Sequence, residues 1–369
     1  MQTARSTTSR FSILDSYFPL HTPQNALYDA LRESVPIIDA AIMKIIRLTG
    51  GFTLTCSDKL AQSELQHFTQ TVKVGGASIG LESFICTYLE NLLLYGNAVG
   101  EIVLNQSRTQ AVGLYNASLN DITLKQGRNA LEFIPCVKTD TGEPIPVSYP
   151  EYILFTALNP KPSDIYGNSL LKGLPFVASV LMKIYECIGN NFERIGNVRY
   201  AVTYRPKDDT IDPAVAKERA TQIAQEWSNG INAAKNGQIT DFISVGDVSI
   251  QAIGSDNQII DTNIPVRQML EQMIAKLGLP PFLLGLNWST TERMSKQQAD
   301  ILTSELEYYR RLLTPIIQKI CNTFLRLNGY SCGVSVSWSI INLQDEIEHA
   351  RAAFYNAQAE KINRERGDI

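Results

Sequence analysis

Histidine is nearly absent from this 369-residue sequence: His21, His67 and His349 are the only three. No two are spaced as a local metal clamp, which argues against a zinc-type site. The six cysteines, Cys56, Cys86, Cys136, Cys187, Cys321 and Cys332, are scattered without a C-x-x-C pair. They give neither a metal ribbon nor a disulfide framework, and a reducing compartment suits them. Long apolar runs are missing too, so no bilayer span and no membrane partner are expected. The opening MQTARSTTSRF has no apolar signal-peptide core and reads as a loose arm over 1–23. Positive charge is not in excess: the net charge is −4, which does not advertise nucleic-acid binding. A Gly-Lys-Ser/Thr phosphate loop is absent, and Gly167-Asn168-Ser169 does not replace it. No ATPase, metal or cofactor is expected. The pair Asp208-Asp209 follows Pro206 in a turn and reads as solvated loop.

What is present suits a globular protein. Hydrophobic residues make up 44% and charged residues 19%, and the length suggests two or three domains. The dominant feature is STTERMSKQQADILTSELEYYRRLLTPIIQKICNTFLRL, from Ser289 to Leu327. Ala299, Leu302, Leu306, Tyr309, Leu313, Ile316, Ile320, Phe324 and Leu327 recur every three or four residues, which stacks them on one helix face. Arg310, Arg311, Gln318 and Lys319 fall on the polar faces. Pro315 predicts a kink rather than a stop. Ser289, Thr290 or Thr291 suits the N-cap, and Asn328-Gly329 ends the helix. Such a helix of about forty residues would span roughly 60 Å. It fits a long core helix of a large enzyme or a scaffold helix in an assembly.

Helical spacing covers residues 24–49, broken at Val35-Pro36 and stopped at Gly50-Gly51. Phe52 to Cys56 alternates like a strand, and Ser57 to Thr71 reads as helix. Leu81–Tyr95 is helical and ends at Gly96-Asn97. Strands follow from Ala98 to about Phe155, punctuated by turn signals, which gives an α+β domain. After the junction at 159–168, a helix runs from Ser169 to Ile195. A compact block over 197–262 contains a strand (Val198–Tyr204), a helix from Asp212 or Pro213 to Trp227, and strands near Ile239–Ser244 and Val248–Ala252. A second helix, Pro265–Leu277, ends at Gly278-Leu279-Pro280-Pro281, which forces an extended segment. The segment Phe282–Trp288 bends into the long helix. A strand over Gly333–Ile341 and a polar helical tail close the chain.

One catalytic pattern needs weighing. Gly76-Ala77-Ser78-Ile79-Gly80 matches G-x-S-x-G, the nucleophile elbow of serine hydrolases. It would require His349 as base, yet His349 stands in a polar tail (QDEIEHARAAF) unsuited to a buried base. The bland reading is a glycine-rich turn before a helix.

Several stretches, in this serial order, resemble the portal proteins of tailed bacteriophages, the head-to-tail connectors. They are LYDALRESVPIIDAAIMKIIRLTGGF, LLLYGNAVGEIVL, IYGNSLLKGLPF, MIAKLGLPPFLLG and SKQQADILTSELEYYRRLLTPIIQKICNTFL, and they cover most of the chain. The resemblance implies an α+β portal fold. Residues 24–167 and 296–341 would form a wing that includes the long kinked helix. Residues 168–196 and 263–281 would be two stem helices bracketing a small α/β clip at 197–262. The tunnel loop would lie within 282–295, leaving only 342–369 for a short crown.

The function that the resemblance implies is a homo-oligomeric ring, usually of twelve subunits, at one capsid vertex of a virion. It would assemble with major capsid and scaffold proteins and dock the terminase large subunit during packaging. It would pass double-stranded DNA without sequence specificity and then bind a head-completion or adaptor protein. A portal-like ring in a genome-free contractile particle remains a companion reading. Trp288, Thr290, Thr291, Arg293 and Lys296 are candidates for the narrow point of the channel, and Lys172, Lys183, Arg267 and Lys276 for the stem faces. Trp288 suits a core anchor equally. Arg293 and Lys296 equally suit pairing with Glu292 and Asp300, and the stem cations equally suit solvated surface.

Overall fold

The computed structural model describes residues 23–127, 132–139, 143–162, 164–196, 199–205, 213–235, 247–253, 262–286 and 292–341. The chain divides into two units, one of Met1–Ser179 with Met269–Ile369, the other of Val180–Gln268. The first unit opens with α1 (Pro23–Ser34) and α2 (Pro36–Thr49), separated at Val35 as the Val-Pro step requires. Next come β1 (Phe52–Thr55), α3 (Lys59–Thr71), β2 (Lys73–Val74), β3 (Ser78–Ile79) and α4 (Leu81–Tyr95). Asp58 caps α3, its side chain accepting from the N–H groups of Leu60 and Ala61. The strands β4 (Asn97–Leu104), β5 (Ala111–Asn116), β6 (Ile122–Gln126), β7 (Phe133–Val137), β8 (Ile145–Pro146) and β9 (Ile153–Ala157) follow.

The main sheet has the order β3-β2-β5-β4-β9, with β2 and β5 parallel and the other neighbours antiparallel. A separate three-stranded sheet has the order β6-β7-β8. The interior strand β4, between β5 and β9, is buried from Asn97 to Ile102. Helix α4 packs over it through Leu81, Phe84, Tyr88, Leu89 and Leu92, each almost wholly buried. Gly100 makes the close approach possible, because a Cβ there would lie 2.6 Å from Phe84 Cζ. The Tyr88 hydroxyl is satisfied within this core, donating to the Ala98 carbonyl at 3.2 Å and lying 3.0 Å from Thr156 Oγ1.

Helix α5 (Leu174–Gly196) begins in the first unit and continues into the second, which adds β10 (Arg199–Arg205), α6 (Pro213–Lys235) and β11 (Asp247–Ile253). β10 and β11 pair antiparallel, from Arg199 opposite Ile253 to Arg205 opposite Asp247. Helix α6 runs eight residues past the expected end at Trp227. An internal glycine costs about 1 kcal/mol, so Gly230 weakens the helix without ending it. The expected strand near Ile239–Ser244 lies outside the described residues. Helix α7 (Asn263–Leu277) returns to the first unit and leads through a short 3-10 turn at Pro281–Leu284 to α8 and β12 (Ser335–Trp338).

Helix α8 (Glu292–Leu327) is 36 residues long, about 54 Å at 1.5 Å per residue, and continues through Pro315 without a stop. Ala299, Leu302, Leu306, Leu313 and Ile320 are buried as the spacing requires, and Ile317, Cys321 and Leu325 widen the stripe. The polar faces, however, are solvated only in part, with Arg311 exposed and Gln318 and Lys319 half-buried. Arg310 is only 3% exposed. Its Nε donates to the Thr49 carbonyl at 2.8 Å, its Nη1 to Glu307 Oε1 at 2.8 Å, and its guanidinium lies 5.3 Å from the Trp338 ring centre. Lys319 donates to the Ile153 carbonyl at 2.8 Å. Gln318 and Asn322 engage both backbone groups of Val334. That explains why β12 starts at Ser335 and not at Gly333: the helix side chains have taken the strand's hydrogen bonds.

Two expectations follow. Replacing Arg310 by Met removes charge-assisted hydrogen bonds and a cation–π contact, and should cost about 2–3 kcal/mol in urea unfolding; a loss below about 0.5 kcal/mol, typical of a surface position, would contradict this. The second concerns alkali. Burial pushes the Cys321 thiol from 9.0 up to about 12. The folded chain therefore holds a proton that the unfolded chain has lost, and this stability is complete below pH 9.0 and disappears as pH rises through the window to about 12. Buried Tyr88 and Tyr309, also raised, act in the same direction. Cys321→Ala should make the alkaline loss of stability shallower, by up to about 1.4 kcal/mol per pH unit; an unchanged slope would count against the assignment.

Candidate assembly and channel surfaces

The sequence contains Tyr-Gly-Asn twice, at Tyr95-Gly96-Asn97 and Tyr166-Gly167-Asn168, and the fold brings the two together. Gly96 caps α4 in the left-handed region at φ 78°. Its carbonyl accepts from Leu158 N–H at 2.8 Å, and Asn97 Oδ1 accepts from Gly167 N–H at 2.8 Å. Ser169 donates its hydroxyl to the Leu94 carbonyl at 2.6 Å and Leu170 its N–H to the Leu93 carbonyl at 3.0 Å, so the last turn of α4 is satisfied by the residues just after the second triplet. A Cβ on Gly167 would sit 2.2 Å from the Gly96 carbonyl oxygen. Tyr166 reaches the other way, its hydroxyl accepting from Leu124 N–H at 2.8 Å. The junction before α5 is thereby fixed to the five-stranded and the three-stranded sheets of the first unit.

A cleft of about 460 Å³ opens beside this clamp, lined in part by Tyr95, Asn97, Lys138, Tyr166, Asn168 and Lys172. Burial lowers the pKa of Lys138, partly offset by Asp121. The cleft presents ammonium, phenol and carboxamide groups, a set suited to holding polar partners rather than to nucleophilic chemistry.

The channel candidates separate. Trp288, Thr290 and Thr291 lie outside the described residues. Arg293 and Lys296 fall on the first turns of α8, with side chains outside the described set. Lys172 is exposed but committed, donating to Asn168 Oδ1 at 2.6 Å as part of the clamp. Lys183 on α5, and Arg267 and Lys276 on α7, are exposed. Lys276 stands in the last turn of α7, where a cation suits the helix dipole.

Ser78 does not form a nucleophile elbow. It lies in β3, the outer strand of an exposed hairpin with β2, and not at the tip between strand and helix. Its φ is not among the positive values that non-glycine residues adopt here, which belong to Arg108 and Asn159. The strained turn that presents a hydrolase serine is thus absent at this position. His349 lies outside the described residues.

A signal that the sequence did not reveal is where burial stops. On α5, Leu174, Ala178 and Leu181 are buried, but no described side chain beyond Leu181 is. Met182 and Tyr185 are each 45% exposed and Phe192 is 63% exposed, on one stripe with Gly189 between them. On α7, Met273, Ile274 and Leu277 are buried, whereas no residue from Asn263 to Gln272 is. Phe176 on α5 and Ile301 on α8 add exposed apolar surface in the first unit. Exposed apolar side chains sharing one helix face are candidates for contact with other chains.

No protein-family model and no curated protein matches the chain. Solved structures do. A chain from the virion of a native gene transfer agent particle overlays with a TM-score of 0.63 at 14% identity, covering 93% of this chain and 89% of that one. A chain from the neck of the empty particle, computed with C6 symmetry, gives 0.63 and 14%, covering 95% and 94%. A chain from the neck of the native particle, computed with C12 symmetry, gives 0.62 and 15%, again covering 95% and 94%. The chain shares the fold of these particle components.

If the α5 stripe is a contact surface, replacing both Met182 and Phe192 by Glu should abolish self-association in sedimentation velocity. The unfolding free energy should shift by less than about 0.5 kcal/mol, as at an exposed site. Unchanged association would remove the stripe from the interface.

Proposed function

We propose that this chain is the subunit of a portal ring, a structural component seated at one vertex of a virion capsid through which double-stranded DNA is packaged and ejected. The observation that carries the proposal is the pair of helices α5 and α7. Each is buried at the end within the first unit and leaves apolar side chains uncovered beyond it. Repeating such helices around an axis covers these faces, and a heterologous contact closes into a ring when its rotation divides a full turn. The fold shared with neck components solved under C12 and C6 symmetry supports a ring of twelve.

In this reading the first unit is the wing, α5 and α7 are the stem, and β10, α6 and β11 belong to the clip. The clip meets the terminase large subunit during packaging and a head-completion or adaptor protein afterwards. Residues 282–295, including Trp288, Thr290, Thr291 and Arg293, form the tunnel loop, with Lys296 just beyond it. Lys183, Arg267 and Lys276 face the channel along the stem. Charge along these helices is mixed: Lys183 is accompanied by Glu186 on α5, and Arg267 and Lys276 by Glu271 on α7. A mixed lining lets the duplex slide, whereas an unbroken basic one would grip its phosphates. The role involves no turnover, and the work of packaging comes from the docked motor.

Negative-stain electron microscopy with native mass on one sample tests the ring. The expected result is rings with a central hole and a mass near twelve times 41.0 kDa; compact particles of that mass without a hole would contradict the proposal. The lining is tested by salt. Affinity of the ring for short linear duplex should fall by less than about tenfold between about 50 and 200 mM salt. A fall of about a thousandfold or more would mean a gripping, basic channel.

A further inference from the structure

The cysteines that look scattered in the sequence are not all apart in the fold. β1 and β12, close to opposite ends of the described chain, pair antiparallel from Phe52 opposite Trp338 to Thr55 opposite Ser335. Cys56 directly follows β1, and Cys332 stands three residues before Ser335. Both are half-buried, and their thiols stand near enough to influence one another at the end of the ladder. Cys56 is held in place: its N–H donates to Gln62 Oε1 at 2.8 Å and its Sγ to the Asp58 carbonyl at 3.4 Å. The approach to Cys332 is held too, through Val334 and its bonds to Gln318 and Asn322. Of the remaining cysteines, Cys136 and Cys321 are buried in the core, and Cys86 and Cys187 lie on exposed helix faces.

We propose that Cys56 and Cys332 are a redox-modification site: a reversible disulfide that staples β12, and with it the end of α8, to β1. A small-molecule disulfide such as oxidised glutathione serves as the oxidant. One protein thiolate attacks a glutathione sulfur, forming a mixed disulfide and expelling the first glutathione thiolate. The second protein thiolate then attacks the protein-bound sulfur, closing the Cys56–Cys332 bond and expelling the second. Two protein thiols are oxidised, one glutathione disulfide is reduced, and the two protons go to solvent or to the departing thiolates. Burial, followed by the neighbouring Cys332, raises the pKa of Cys56, so closure speeds up as the medium becomes alkaline. The cross-link chemistry depends only on these two thiols. Its use, locking a subunit after release from a reducing cell, rests on the virion reading above.

The test uses the purified full chain with excess oxidised glutathione at mildly alkaline pH, followed by alkylation, digestion and mass spectrometry. The expected product is a linked pair of peptides carrying Cys56 and Cys332, with a rise in the thermal midpoint that dithiothreitol reverses. In Cys332→Ala the rise disappears and Cys56 retains its glutathione adduct. Should that variant fail to fold, Cys56→Ala gives the mirror result at Cys332. Recovery of both cysteines alkylated, or of both as separate glutathione adducts, would overturn the proposal. Cross-linking in dilute monomer with no ring under any condition would uphold the disulfide and sink the assembly reading.

Discussion

The buried guanidinium of Arg310 is the contact on which the first unit depends. It stands midway along α8, donates to the carbonyl that ends α2, pairs with Glu307 and lies against the ring of Trp338 on β12. Three segments widely separated in sequence thus meet at one cation. A charge removed from water is costly unless its hydrogen bonds are replaced. Here the buried carbonyl end of α2, where the helix dipole is negative, supplies part of the replacement. Gly50, at φ 76°, makes room: a Cβ there would lie 3.1 Å from Arg310 Nη2. The Trp338 indole N–H donates to Thr314 Oγ1 at 3.0 Å, and Thr314 donates to the Arg310 carbonyl at 2.7 Å. This side-chain network holds the helix in register with the strand beside it just before Pro315, where a backbone N–H is missing.

Rigidity there has a consequence at the other end of the molecule's function. The Tyr-Gly-Asn clamp fixes the start of α5, and the Arg310 network fixes the long helix. Beyond these fixed points, α5 and α7 leave apolar side chains uncovered. In the proposed ring, helices already formed in the free subunit would serve as the contact surface, so assembly would not have to include their ordering. Conformational entropy is the main cost of forming an interface from flexible chain, and preformed helices avoid it.

Much of this architecture is legible in the residues. The three-and-four spacing of Leu302, Leu306, Tyr309 and Leu313 gives α8, the Val35-Pro36 step gives the break between α1 and α2, and Gly96 marks the end of α4. Other features depend on tertiary partners that no local pattern contains. Arg310 has the sequence context of a solvated face, and only Trp338 and the end of α2 make it a core residue. The length of β12 is set by Gln318 and Asn322 on another element. The meeting of Cys56 with Cys332 follows from a strand pairing across most of the chain. The match at Ser78 fails for the same reason: a five-residue pattern carries no information about the hairpin in which it sits. Of the channel candidates, Lys172 is drawn into the clamp by Asn168, a contact that composition cannot signal.

The central claim is that the uncovered faces of α5 and α7 become the joint between neighbouring subunits. Amide hydrogen exchange measured on the assembled protein and on the same chain at dilution addresses it directly. The account predicts that amides over 182–192 and 264–272 slow strongly on assembly, while the core of α4 and β4 exchanges at the same rate in both. Equal exchange over 182–192 in the two states, with protection appearing elsewhere, would show that another surface joins the subunits.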